Sequence, residues 1–205
     1  PDRIVCGNGS EELIGILMRC YLGENEQLLL TQNHFVMCSI YGAGQGAKVV
    51  LAPEKEFTVD VDALLERITP ETRVISVANP NNPTGTYVPA TDIARLVAEV
   101  PKNVLLILDG AYAEYVDRDD FDDGLHWGDS TSNVVITRTF SKIYGLAGLR
   151  IGWAYGPAPI IEVMNRLRTP FNANGSALAA AAAAITDQAH VAMSREHTAR
   201  WQERI

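Results

Sequence analysis

Leu106-Ile107-Leu108-Asp109-Gly110-Ala111-Tyr112 is an apolar run that ends on a carboxylate and breaks at once into a glycine. A strand this apolar is expected to be buried on both faces, as in a parallel sheet covered by helices. It would bring Asp109 to the carboxyl edge of that sheet, where a buried carboxylate is costly unless a cation or several donors meet it. A protonated ring nitrogen would serve, and Tyr112, three residues on, can set its phenol against the same ligand. Asp109 can equally be a helix cap, a common role for aspartate at a strand end.

The pattern repeats on either side. Short runs rich in β-branched residues at 3–6, 27–31, 47–52, 73–79, 104–109, 134–138 and 150–155 alternate with helical patterns at 11–21, 35–44, 61–68, 90–100, 160–168, 176–185 and 191–204. This alternation predicts an α/β fold: a mostly parallel central sheet of about seven strands with helices on both faces. Local signals mark the ends. Asp60 is placed to cap the helix that Thr69-Pro70 stops, Pro89 stands at the first turn of the next, and 42–46 reads as a helix stop. The Ala-rich segment 177–184 is read as a tightly packed helix, and no linker or repeat divides the chain.

Composition excludes several classes. A formal net charge of -8 disfavours a nucleic-acid partner, and no apolar run approaches the roughly 20 residues of a membrane span. Cys6, Cys20 and Cys38 form no Cys-x-x-Cys pair, which predicts reduced cytoplasmic thiols. The four histidines show no metal-ligand spacing, so no metal is expected. Asp117 to Gly124 is acidic, but Phe121 takes a calcium-ligand position and a solvated loop is expected. With no initiator Met, no signal peptide, and a last helix that reaches Arg204-Ile205 without a stop, the chain reads as an excerpt.

Three further stretches can carry chemistry. Gly7-Asn8-Gly9-Ser10-Glu11-Glu12 is a glycine turn between a strand and a helix, which suits a phosphate or simply starts a helix well. A dinucleotide fingerprint would need a glycine where Glu12 stands. Asn79-Pro80-Asn81-Asn82-Pro83-Thr84-Gly85-Thr86 holds a loop at a strand's carboxyl end, where open α/β sheets place ligands, and Asn82 can direct its amide at a ligand oxygen. Thr139-Phe140-Ser141-Lys142 sets one of only four lysines among apolar and small residues, with Arg150 eight residues on. A partly desolvated lysine can form a Schiff base with a carbonyl; Lys142 can also simply snorkel out of a buried turn.

Together these residues resemble the aspartate-aminotransferase superfamily of pyridoxal-phosphate enzymes (fold type I), most closely its histidinol-phosphate aminotransferase branch, over nearly the whole chain. The resemblance implies that Lys142 carries pyridoxal 5'-phosphate and is catalytic, and that Ser10, Glu11, Thr139, Ser141 and Arg150 hold its phosphate. Asp109 would pair with the pyridine nitrogen, Asn82 and Tyr112 with the phenolic oxygen, and Phe35 would stack on the ring where the family usually has Tyr. It further implies a cytoplasmic homodimer that passes an amino group from a small-molecule donor, histidinol phosphate, to a 2-oxo acid, by family analogy 2-oxoglutarate. Residues 1–205 would then be the large cofactor domain alone, without the N-terminal arm and small C-terminal domain of the family, and weak or no turnover is expected of them. Related readings are an aromatic aminotransferase, a threonine-phosphate decarboxylase, or a cofactor-sensing regulator fragment. A nicotinamide dehydrogenase is disfavoured by the absent third glycine.

Overall fold

The computed structural model describes residues 2–202 and 204. Pro1, Glu203 and Ile205 lie outside them, and with them the end of the 191–204 helical pattern. β1 (Ile4–Gly7) leads into α1 (Ser10–Tyr21), β2 (Gln27–Thr31) into α2 (Val36–Gly44), and β3 (Lys48–Ala52) into a hairpin of β4 (Glu54–Lys55) and β5 (Thr58–Val59). α3 (Val61–Leu65), β6 (Thr72–Ala78), α4 (Ala90–Glu99), β7 (Leu105–Asp109), α5 (Leu125–Ser130) and β8 (Val134–Thr139) follow. The described chain closes with β9 (Gly152–Tyr155), α6 (Ala158–Leu167), α7 (Gly175–Ala184) and α8 (Gln188–Gln202).

The main sheet has seven strands in the order β1-β9-β8-β7-β6-β2-β3. Pairing is parallel from β8 through β3, and β9 alone runs against both neighbours, β1 and β8. The mostly parallel sheet expected from the sequence is therefore present. Its central strands explain their unbroken apolarity. Leu105 and Ile107 of β7 pack with Leu13, Ile14 and Leu17 of α1 and Ile161 of α6, while Leu106 and Leu108 pack with Leu64 of α3 and Ile93 and Leu96 of α4. Each fully buried leucine or isoleucine contributes roughly 1.5–3 kcal/mol, so both helical layers hold the sheet and its edge is a rigid platform.

Several local expectations shift. Asp60 does cap α3, its Oδ1 accepting from the amides of Asp62 at 3.1 Å and Ala63 at 3.3 Å. α3 stops at Leu65 rather than Ile68, because the amides of Arg67 and Ile68 bond three residues back, to the carbonyls of Leu64 (3.1 Å) and Leu65 (3.2 Å), and tighten the chain out of the α-helix. Pro89 sits one residue before α4, as its cap. The last strand begins at Gly152; Arg150 lies outside it in the left-handed region (φ 56°), where the chain leaves the turn at Ala147–Leu149. α7 is packed on one face only. Ala177 and Ala181 meet Phe140 and Ile151, whereas Leu178 and Ile185 remain 44% and 48% exposed. A helix made almost wholly of alanine has no apolar stripe distinct from the rest of its surface, so the sequence does not say which side is covered.

The β4–β5 hairpin and α5 are too short for a periodic signal. Gly124 caps α5, and Asp122 accepts from the Gly124 amide (2.8 Å) and from Trp127 Nε1 (3.1 Å), while Asp117 to Asp120 and Asp123 of the acidic loop are exposed. Among the described residues no helix is long and apolar enough to cross a membrane.

Candidate functional site

Every strand of the parallel set ends on one edge, and the loops leaving β1, β6, β7 and β8 meet there. Ser10, Glu11, Phe35, Asn82, Asp109, Tyr112, Thr139, Ser141, Lys142 and Arg150 all line one cavity of about 200 Å³, together with Ala111 and Ala147. All ten residues singled out from the sequence thus face one space.

One end of this cavity suits an anion. α1 begins at Ser10, and its cap, Gly9, places no side chain on the first-turn amides, which leaves donors and the positive end of the helix dipole on the cavity side. Ser141 donates its amide to Thr139 Oγ1 at 3.1 Å. Arg150 donates to Ser141 Oγ (3.3 Å), the Ala147 carbonyl (3.2 Å) and the Asn8 carbonyl (3.3 Å). These bonds lie at or beyond the long end of the normal range, so an incoming anion can take the guanidinium over at little cost. The close approach depends on glycine. A Cβ on Gly9 would fall 2.5 Å from Arg150 Nη2, and one on Gly152 would strike the Ser10 amide nitrogen.

Glu11 complicates the charge balance. Its Oε1 accepts from Tyr41 Oη at 3.0 Å and its Oε2 lies 3.9 Å from Arg150. Burial, and then the bond to this carboxylate, push the Tyr41 phenol up to about 12. For an anion, the amide of Glu11 is a partner and its carboxylate a competitor for Arg150.

The other end is built on Asp109. It is 8% exposed and accepts from Thr137 Oγ1 at 2.8 Å. Burial pushes its pKa up; the Thr137 bond, the Ala111 amide, and the charges of Arg138 and Lys142 oppose that rise. Lys142 Nζ lies 5.0 Å from the centre of the Tyr112 ring. Of the two readings of Lys142, partly desolvated or snorkelling out of its turn, the structure has the second: it is exposed, because the turn after β8 carries it to the open side of the cavity. Half-buried Phe35 caps α2 in extended backbone, and half-buried Asn82 leaves a loop pinned by its other asparagines. Asn79 exchanges two bonds with the Val88 backbone, and Asn81 donates to the Asn33 carbonyl (2.7 Å) and Thr84 Oγ1 (3.0 Å).

Sequence reasoning missed three contributors. Thr137 orients Asp109, and the one sign of it was a hydroxyl directly after the apolar run Val134-Val135-Ile136. Tyr41 holds Glu11, without a local signal. Arg138, 3% exposed, donates to the Gly110 carbonyl (3.3 Å) and the Asp123 carbonyl (2.8 Å) and faces the Glu114 carboxylate at 3.5 Å. A Cβ at position 110 would fall 2.9 Å from Arg138 Nε, which accounts for the glycine after Asp109. The finished arrangement can hold an anion at one end and a protonated nitrogen at the other, with an amide, a phenol and a primary amine between them.

The family model described as aminotransferase class I and II matches residues 1–205. A histidinol-phosphate aminotransferase of Rhodopseudomonas palustris is 52% identical over 202 residues, covering 98% of this chain and 55% of that protein. One from Nitrobacter winogradskyi is 50% identical over 202 residues, covering 98% of this chain and 55% of its own length. The chain thus spans about half the length of the curated relatives it matches. The crystal structure of histidinol-phosphate aminotransferase from Sinorhizobium meliloti in complex with pyridoxal-5'-phosphate superposes with a TM-score of 0.94 at 30% identity, over 100% of this chain and 55% of that one. Aspartate aminotransferase from Thermus thermophilus with maleate, 23% identical over 98% of this chain and 55% of that one, shares the fold at a TM-score of 0.88.

Proposed function

This chain belongs to the aminotransferase class I and II family, and on that premise we propose that it is the cofactor-binding part of a pyridoxal-phosphate-dependent histidinol-phosphate aminotransferase. The observation that carries the reading is the single cavity in which an anion site, a buried carboxylate, an amide, a phenol and a lysine amine converge. Pyridoxal phosphate has a group for each: a phosphate, a ring nitrogen, a phenolic oxygen and an aldehyde. The residues present therefore fit it.

Ser10, Ser141, Thr139 and Arg150, with the amides of the first turn of α1, would hold the phosphate. Asp109 would keep a proton on the ring nitrogen, Asn82 and Tyr112 would hold the phenolic oxygen, and Phe35 would cover the ring. When bound, the cofactor supplies a carbonyl that condenses with amines and a ring that accepts electrons from the substrate carbon. Lys142 is the anchoring amine, and once released it is the base that moves a proton at that carbon. Its exposed position leaves the amine accessible to an incoming substrate.

The donor we infer is histidinol phosphate, giving imidazole-acetol phosphate on the histidine pathway, with 2-oxoglutarate taking the amino group in the return half. Its support is the 52% and 50% identity to proteins so named. Cytoplasmic location and a homodimer belong to the same proposal. So does the division of labour in which 1–205 is the large domain, and an arm and a small domain elsewhere in the protein supply the substrate-reading groups.

The test mixes the chain with pyridoxal phosphate and records the visible spectrum of the parent and of Lys142→Ala. A lysine-dependent absorption band is expected in the parent alone, and its absence there would sink the cofactor reading. Half-reaction assays of the full-length protein with histidinol phosphate, phenylalanine and threonine phosphate separate the donors. Preference for either of the latter two replaces the proposed substrate.

A further inference from the structure

The parallel pairing of β7 with β8 sets Asp109 directly beside Thr137. Neighbouring residues in register place their side chains on the same face of a sheet, and here the Thr137 hydroxyl donates to Asp109 Oδ1 at 2.8 Å. Thr137 is fully buried in a strand buried along its whole length. A hydroxyl in such a place is costly unless it finds an acceptor. A β-branched side chain also has restricted χ1 freedom, so the donor is held in one direction. We propose that Thr137 is a positioning residue whose hydroxyl occupies one oxygen of Asp109 and aims the other at a cationic ring nitrogen, an inference that rests on the cofactor reading above.

The charge balance around Asp109 agrees. Burial favours its neutral form, in which the carboxyl would become a donor and lose a partner with an N–H to give. A hydrogen bond received from Thr137 favours the ionised form, as do Arg138 on the same strand and Lys142 in the turn beyond it. Tyr112 lines the same cavity as Asp109, and Cys38 of α2 is a further titratable group close enough to feel its charge. Its Sγ lies 3.7 Å from Ser76 Oγ, and burial pushes the thiol up to about 12, so it brings no charge near neutrality. Valine would fill the same space in β8 without the donor, and serine would keep the donor with less constraint.

The experiment follows the Asp109 side-chain carboxyl by carbon-13 NMR as a function of pH in the cofactor-free chain, for the parent, Thr137→Val and Thr137→Ser. Thr137→Val is expected to raise the Asp109 midpoint by about one unit or more, the effect of losing one hydrogen bond to a charged group. Thr137→Ser should stay near the parent. In the loaded protein the dissociation constant for pyridoxal phosphate should rise roughly tenfold or more in Thr137→Val, with the Lys142-dependent band still formed. An unchanged Asp109 midpoint in folded Thr137→Val overturns the proposal. Should that variant fail to fold, the parent alone decides: the Thr137 hydroxyl proton should exchange slowly and shift as Asp109 titrates, and a rapidly exchanging or unresponsive proton overturns it. A parent chain that shows no Lys142-dependent band refutes the cofactor reading but leaves the midpoint difference between the parent and Thr137→Val to stand.

Discussion

Replacing Gly9 with alanine should injure both the fold and the anion site, for separable reasons. Gly9 caps α1 with φ 85° and ψ 164°, a conformation that is essentially closed to residues with a Cβ. Forcing alanine into it costs about 1–3 kcal/mol. For a chain of this length each kcal/mol corresponds to roughly 2–4 °C in melting temperature, so a fall of about 2–12 °C is expected by calorimetry or far-UV circular dichroism. The new Cβ would also fall 2.5 Å from Arg150 Nη2. A guanidinium is the far end of a flexible side chain and can swing aside, but doing so gives up its 3.3 Å bond to the Asn8 carbonyl and its place beside Ser10. Affinity for pyridoxal phosphate should fall roughly tenfold or more, the effect of losing one charge-assisted hydrogen bond. Gly175→Ala is the control. Its Cβ would meet nothing within 4 Å at the start of α7, so reduced freedom of the unfolded chain should raise stability by about 0.4–1 kcal/mol. Equal melting shifts for the two variants, or unchanged cofactor affinity in Gly9→Ala, would refute the reasoning.

Two further outcomes are expected. Asp60→Ala removes the cap that serves two amides of α3 and should cost about 1 kcal/mol by urea unfolding, with cofactor affinity unchanged because α3 lies away from the cavity. The pH profile of stability should carry an acid-side rise. Asp109 and Glu114 have their pKa values raised, first of all by burial. The folded chain therefore takes up protons before the unfolded chain does, and stability increases as pH falls from their folded values toward the ordinary carboxylate range of about 4. Below that range Asp60 and Asp120, whose pKa values are lowered, lose ion pairs and reverse the trend. Urea midpoints at stepped pH should show this rise flattened in an Asp109→Asn, Glu114→Gln double variant, and an unaltered profile there contradicts the assignment.

The sequence by itself determined the parts of this protein that follow from local chemistry. The apolar run of β7, and the continuous rather than alternating apolar residues of β6 and β8, signified burial on both faces. Turn residues located the loops after β1, β6 and β8; Asn82, Asp109, Tyr112, Lys142 and Arg150 stood out by their own chemistry, whereas Glu11, Phe35, Thr139 and Ser141 were named through the family resemblance. Other features depended on which segments become neighbours. The reversal of β9 is invisible in its own residues, since a buried strand reads alike in either direction. Arg150 reaches Ser141 and Asn8 from a left-handed turn before that strand, and Gly152 is required because the start of α1 and the Arg138 carbonyl of β8 both press on it. The sequence left Lys142 either partly desolvated or snorkelling out of its turn, and its exposure was decided by where that turn leads and not by adjacent side chains. Thr137 lies beside Asp109 through strand register alone. Register arises from packing across the whole sheet, between residues far apart in the chain, and it is there that the tertiary structure decided how the Asp109 carboxylate is held.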